Sequence, residues 1–134
     1  MANLHVSFMQ NHEVQAAATV LSIAMRDNPL HEAVFLGKDE SVRKQIETMF
    51  IELLTQLPGI VFLAWQDGKM VGVMRMKSCQ GSSSEQVLQP SGNERDIGWR
   101  KSVWHAQWNS RDPLQPHWHL GPIGVLPGYQ GKGI

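Results

Sequence analysis

The fourteen residues Gly121–Ile134, GPIGVLPGYQGKGI, constrain the chain more than any other stretch. Ile123 and Val125 alternate with small residues as in a strand, Pro127-Gly128 ends that strand, and Gln130-Gly131-Lys132-Gly133-Ile134 follows. Glycines let successive backbone amides turn into one concavity, and a helix starting just behind such a loop adds the positive end of its dipole; together these make an anion site. A Walker lysine loop is excluded, because Leu126 stands where its first glycine belongs and Gly133 where it needs Ser or Thr. A dinucleotide fingerprint fits poorly.

The residues upstream set the context in which such a loop has meaning. Leu4, Val6 and Phe8 alternate with His5 and Ser7, the period of a half-buried first strand over Leu4–Met9. After Asn11 as N-cap, Val14, Ala17, Ala18, Leu21 and Met25 recur at helical spacing until Asn28-Pro29 stops them. A second helix is predicted over Asp39–Gln56, with Val42, Ile46, Met49, Phe50, Leu53 and Leu57 on one stripe and Pro58-Gly59 as terminator. Ile60–Trp65 and Met70–Met76 read as antiparallel neighbours joined by a tight turn at Asp67-Gly68.

Gly81–Gly92, with four serines and Pro90, reads as a mobile loop, and Asp96–Trp108 as a short, partly buried helix ended by Pro113 and Pro116. His117–Val125 is the fourth strand. The 134 residues are expected to form a single domain, 1–134, with 78–116 as a loop and short-helix insertion between the third and fourth strands.

The terminal motif resembles motif A of the GCN5-related N-acetyltransferases, in which a strand ending in Val-x-Pro leads into Gln/Arg-x-x-Gly-x-Gly/Ala. Val125-Leu126-Pro127, Gln130 and Gly133 match it position by position, and the last Gly/Ala would fall one place beyond Ile134. The order strand, two helices, hairpin, insertion, strand and loop resembles the N-terminal part of that family's fold throughout. The resemblance implies an α/β (α+β) chain with a mixed, mostly antiparallel sheet, flanking helices and an incomplete C-terminal side. It also implies that acetyl-CoA is the co-substrate. Ile123, Gly124 and Val125 would pair with its pantetheine arm or hold the oxyanion, and Gln130, Gly131, Lys132, Gly133 and Ile134 would bind its pyrophosphate.

Acetyl transfer to an amine requires a group to take the amine proton. His117 and His119 are two residues apart and share a strand face, with Gly121 following on it if no bulge intervenes. His119 precedes Gln130 by eleven residues, the spacing at which some members of the family carry a basic glutamate, and an imidazole titrates in the right range. His119 is therefore the first candidate base and His117 a second base or relay; a hydrogen-bonded structural role is the alternative for each. Trp104, Trp108 and Trp118 are candidate walls of an acceptor pocket, or else anchors of the insertion. His105, His117 and His119 define no metal set, since the first lies on another element and an acidic ligand is lacking; no metal is expected.

Twelve basic and twelve acidic residues leave no net charge, which excludes a general electrostatic footprint for nucleic acid or a membrane surface. One cysteine, Cys79, excludes an internal disulfide, and no segment looks like a signal peptide or membrane span. The expectation is a cytoplasmic N-acetyltransferase acting on a small-molecule amine. The alternatives are a CoA-binding or protein-interaction module without catalysis, an inactive truncated fragment, and a homodimer formed through an open sheet edge.

Overall fold

A computed structural model describes residues 3–56, 58–80, 95–109 and 113–134. In chain order these form β1 (Leu4–Phe8), a 3-10 turn (Asn11–Glu13), α1 (Val14–Ala24), α2 (Pro29–Phe35), α3 (Glu40–Gln56), β2 (Ile60–Gln66), β3 (Lys69–Cys79), α4 (Ile97–Asn109) and β4 (His117–Val125). The strands make one antiparallel sheet in the order β1-β2-β3-β4. The mixed α+β architecture expected from the sequence is present. The expected loop at Gly81–Gly92 and the stripe residue Leu57 lie outside the described residues.

Local chemistry explains most boundaries. The β2–β3 hairpin turns at Asp67 and Gly68 with φ of 52° and 81°, the mirror-image turn that matches strand twist. Asp39 sits just ahead of α3, its Oδ1 accepting from the Val42 amide at 2.9 Å. Two expectations need correction. Asn11 is not the N-cap of α1: it opens the 3-10 turn, which Gln10 caps, the Gln10 main-chain amide donating to Glu13 Oε1 at 2.9 Å, and Glu13 stands at the N-cap of α1 itself. Asn28-Pro29 does not merely stop a helix but starts α2, because Asn28 Oδ1 accepts from the Leu30 amide at 2.9 Å and proline suits the first helical position.

Directly opposed residues of an antiparallel ladder share a face, so the register divides the sheet in two. Leu63, Val73 and Gly124 lie in one row, on the face covered by α1 and α3. Ala17, Ala18 and Leu21 of α1 and Val42, Ile46, Phe50 and Leu54 of α3 complete this core. Leu54 is buried where the expected stripe named Leu53, which is only partly buried. Arg43 ties the two helices together, its Nη1 donating to Ser22 Oγ at 2.8 Å and to Glu47 Oε2 at 2.6 Å.

The other face carries Val6, Ala64, Gly72 and Val125 in one row and Phe8, Phe62, Met74 and Ile123 in the next. Among the described residues no helix covers it. The period-two pattern of β1 holds, but Leu4, Val6 and Phe8 point to this open face instead of the core, and Val6 remains 63% exposed. An alternation specifies which residues share a face, not which face is covered.

α4 lies against α2 rather than the sheet. Trp104 meets His31 edge-on at 5.3 Å between ring centroids, and Arg100 Nε donates to the Val34 carbonyl at 2.6 Å. Among the described residues no helix is long and apolar enough to cross a membrane.

Candidate functional site

β4 and the residues after it form the candidate site. β4 is an edge strand, paired on one side to β3. Its last rung is continued by the Leu126 amide donating to the Val71 carbonyl at 2.8 Å, and the chain then turns at Tyr129, whose amide donates to the Leu126 carbonyl at 3.0 Å. Gln130 Nε2 reaches back to the Val125 carbonyl at 2.9 Å, fastening the loop to the end of the strand. Gly128, Gly131 and Gly133 have φ of 90°, 75° and 78°, conformations that only glycine adopts without strain, and a Cβ on any of them would point into open space. Residues 127–131 are turns. Two ammonium groups flank the loop: Lys69 Nζ and Lys132 Nζ lie 5.4 Å and 5.8 Å from the Tyr129 ring centroid. Neither makes an ion pair among the described residues.

The remaining sequence candidates on this strand separate by position. Gly124 is buried against α1, where an added Cβ would stand 2.9 Å from Ala24 Cβ. Ile123 is on the open face, and Val125 is half-buried. Ile134 folds back to the open face, its Cγ2 lying 3.6 Å from a Cβ built on Gly72.

His117 and His119 do share a face, opposed to Cys79 and Lys77. Gly121 does not continue that alternation. Met76 pairs with Leu120 and Met74 with Ile123, so Gly121 and Pro122 together face the single residue Arg75, a bulge in β4. The His119 ring nevertheless leans over Gly121: a Cβ there would come within 3.3 Å of His119 Nε2. His117 Nδ1 lies 2.8 Å from the Gln115 carbonyl, a contact that requires a proton on Nδ1. The His117 Nε2 is buried and has no hydrogen-bond partner among the described residues.

The tryptophans are not gathered into one wall. Trp104 belongs to the α2–α4 contact, where its ring also stacks on His105. Trp118 is 59% exposed on the open sheet face, on the opposite side of β4 from the neighbouring histidines. The Trp108 side chain lies outside the described residues.

Two residues of the site were missed in the sequence. Arg75 is 3% exposed, its Nη1 reaches the Gly121 carbonyl at 3.4 Å, its Nη2 donates to the Pro58 carbonyl, and burial lowers its pKa. The available signal was an arginine inside the apolar run MVGVMRM. Lys69 opens β3 and comes beside the loop only because β3 and β4 are paired. Among the described residues no group of three or more His, Cys, Asp or Glu could hold a metal ion.

No protein-family model and no curated protein matches this sequence. The fold is similar to a solved structure from the yellow fever mosquito, an insect protein assigned as arylalkylamine N-acetyltransferase 7. The TM-score is 0.55 at 15% identity, and the match covers 96% of this chain and 55% of that one. The chain thus spans about half the length of the structure it matches. The likeness is one of fold: a four-stranded antiparallel sheet with flanking helices.

Proposed function

We propose that this chain contributes the acetyl-CoA side of an N-acetyltransferase site and serves transfer of acetyl to the amine of a small molecule. The observation that carries the reading is the continuity of an unshared strand edge with a glycine loop. β4 presents its outer backbone groups with no partner strand among the described residues, and it passes directly into turns with Gly131 and Gly133 at positive φ.

The chemistry of the donors fits a phosphorylated thioester. An extended amide-containing arm can add to the free edge of β4 as a further strand would. Backbone amides of the loop, with Lys132 and Lys69 beside it, suit a pyrophosphate. The Gln130 bond to Val125 holds loop and strand in one geometry. When bound, the thioester supplies an acyl carbon activated toward an amine. His119 takes the proton the amine gives up as the C–N bond forms and the C–S bond breaks, the thioester's sulfur leaving as the CoA thiolate, and His117, its Nδ1 on the Gln115 carbonyl, is the second candidate base. Arg75 donates to the Gly121 carbonyl beneath the His119 ring and so positions the base. The mosquito protein's description makes arylalkylamines the first acceptor class to test.

Equilibrium titration of the protein with acetyl-CoA tests the cofactor half of this reading. The expected result is saturable binding that Gly131→Val and Gly133→Val weaken by about tenfold or more, since a side chain at these φ values must rebuild the loop. Unchanged affinity in both variants would remove the loop from the site.

A further inference from the structure

At the contact of α2 with α4 we infer an acid-sensitive clasp: protonation of His31 opens this contact while the sheet and its helix-covered core stay folded. Three of the five buried side-chain nitrogens without a hydrogen-bond partner among the described residues meet here, namely His31 Nδ1, His31 Nε2 and Trp104 Nε1. Buried polar atoms left without partners hold the contact closed against a standing penalty, which opening to water relieves.

The ring neighbours of His31 are aromatic. The residue is 5% exposed, and its imidazole stands 6.4 Å from Phe35 of its own helix, 5.9 Å from Phe50 of α3 and 5.3 Å from Trp104 of α4, centroid to centroid. A second ring proton would carry a full charge into that pocket. The charged groups around it do not neutralise such a charge. α4 presents Arg100, whose Nε donates to the Val34 carbonyl at 2.6 Å, Lys101, whose Nζ is 5.2 Å from the Phe35 centroid, and His105, stacked on Trp104 at 5.5 Å. α2 adds Glu32, which is exposed. On α3, Glu47 is taken up by Arg43 at 2.6 Å. Burial lowers the His31 pKa.

The elements that enclose the ring are held differently. Phe50 belongs to the stripe that α3 buries in the core with Val42, Ile46 and Leu54, and Val34 and Phe35 of α2 are buried too. Trp104 is only partly buried, and α4 meets α2 through it, through Arg100 and through Lys101. Lifting α4 therefore hydrates the imidazolium and the indole N–H at the loss of fewer buried contacts than moving α3. The neutral ring favours the closed contact fully above about pH 6.5. Below that, the opened state, in which His31 titrates near 6.5, gains by up to about tenfold per pH unit until the closed-state value is reached. The inference uses neither β4 nor the glycine loop and stands apart from the acetyl-CoA reading.

Amide hydrogen exchange of the intact protein at about pH 7.5 and about pH 5.5, corrected for the intrinsic pH dependence of exchange, tests it. The expected result is that protection of α2 and α4 amides falls several-fold at the lower pH, by no more than about tenfold, while β2 and β3 amides keep theirs. In His31→Leu, which fills the pocket with a side chain that does not titrate, the fall should be absent. Three outcomes overturn the inference: protection of α4 that ignores pH, a fall shared equally by β2 and β3, or the same fall in His31→Leu. If that variant does not fold, an NMR titration of His31 in the wild type carries the test. A value below about 6.5 is expected, and one at or above it overturns the inference.

Discussion

The side-chain amide of Gln130 donates to the main-chain carbonyl of Val125 at 2.9 Å, tying the glycine loop to the strand that leads into it. One neutral hydrogen bond at an exposed site stabilises the fold by about 1 kcal/mol or less. Its larger effect is on the order of the loop. Gln130→Ala is therefore expected to lower Tm only slightly while weakening acetyl-CoA binding several-fold; calorimetric titration beside a thermal melt separates the two.

A tighter constraint lies on the other side of the same strand. Gly124 sits under α1, where an added Cβ would be 2.9 Å from Ala24 Cβ and 3.3 Å from Leu21 Cδ2. Neither neighbour can rotate away cheaply, since the first is a methyl fixed to a helix backbone and the second is fully buried. Gly124→Ala is expected to cost about 1–3 kcal/mol, read as a lower urea midpoint. Wild-type stability would show that α1 does not press on β4 there.

The contact between α2 and α4 has a pH dependence built into it. His31 is 5% exposed among Phe35, Phe50 and Trp104, neither ring nitrogen has a hydrogen-bond partner among the described residues, and burial lowers its pKa. The cations on the facing helix, Lys101 over the Phe35 ring and Arg100 at the Val34 carbonyl, add no compensating negative charge. With the folded pKa below the unfolded value of 6.5, the neutral ring's contribution is fully present above about pH 6.5. It is lost as pH falls from there toward the folded value. Urea unfolding at neutral and mildly acid pH should show a loss of at most about 1.4 kcal/mol per pH unit from this group, absent in His31→Leu. An identical slope in the variant would discard His31 as its source.

The buried guanidinium of Arg75 offers a fourth test. Arg75→Ala removes the donor to the Gly121 and Pro58 carbonyls and leaves a void, at a cost of about 3 kcal/mol. Arg75→Met should recover most of that loss by refilling the space, because an apolar side chain carries no desolvation penalty. If Arg75 positions His119, the Met variant keeps acetyl-CoA affinity but loses kcat; equal kcat would make the residue merely structural.

The bounds of β4 and the turn of the hairpin were legible because Pro, Gly and alternating apolar residues mark them in the sequence itself, but β3 runs on past the expected Met76 to Cys79, since Lys77, Ser78 and Cys79 pair with β4 and carry no apolar signal of their own. The pairing of His117 with His119 followed from period two alone. What could not be read depended on partners. Asn28-Pro29 serves equally as a stop and as a start, and only the helical turn that follows decides it. The bulge at Gly121-Pro122 was signalled by a proline within a strand, but its register emerges from the β3 ladder. Leu4, Val6 and Phe8 showed a shared face without showing which side the helices would take. The tryptophans share a composition, and the fold sends Trp104 and Trp118 to different surfaces.

The central claim is tested most directly by thiol release from acetyl-CoA across a panel of arylalkylamines and other small amines, with formation of the N-acetyl product followed in parallel. The account predicts amine-dependent release with matching product. It also predicts that His119→Gln lowers kcat/KM by about 100-fold and removes the ascending limb of its pH profile, with acetyl-CoA affinity unchanged. Bound acetyl-CoA with no turnover on any amine, or an unchanged pH profile in His119→Gln, would contradict it.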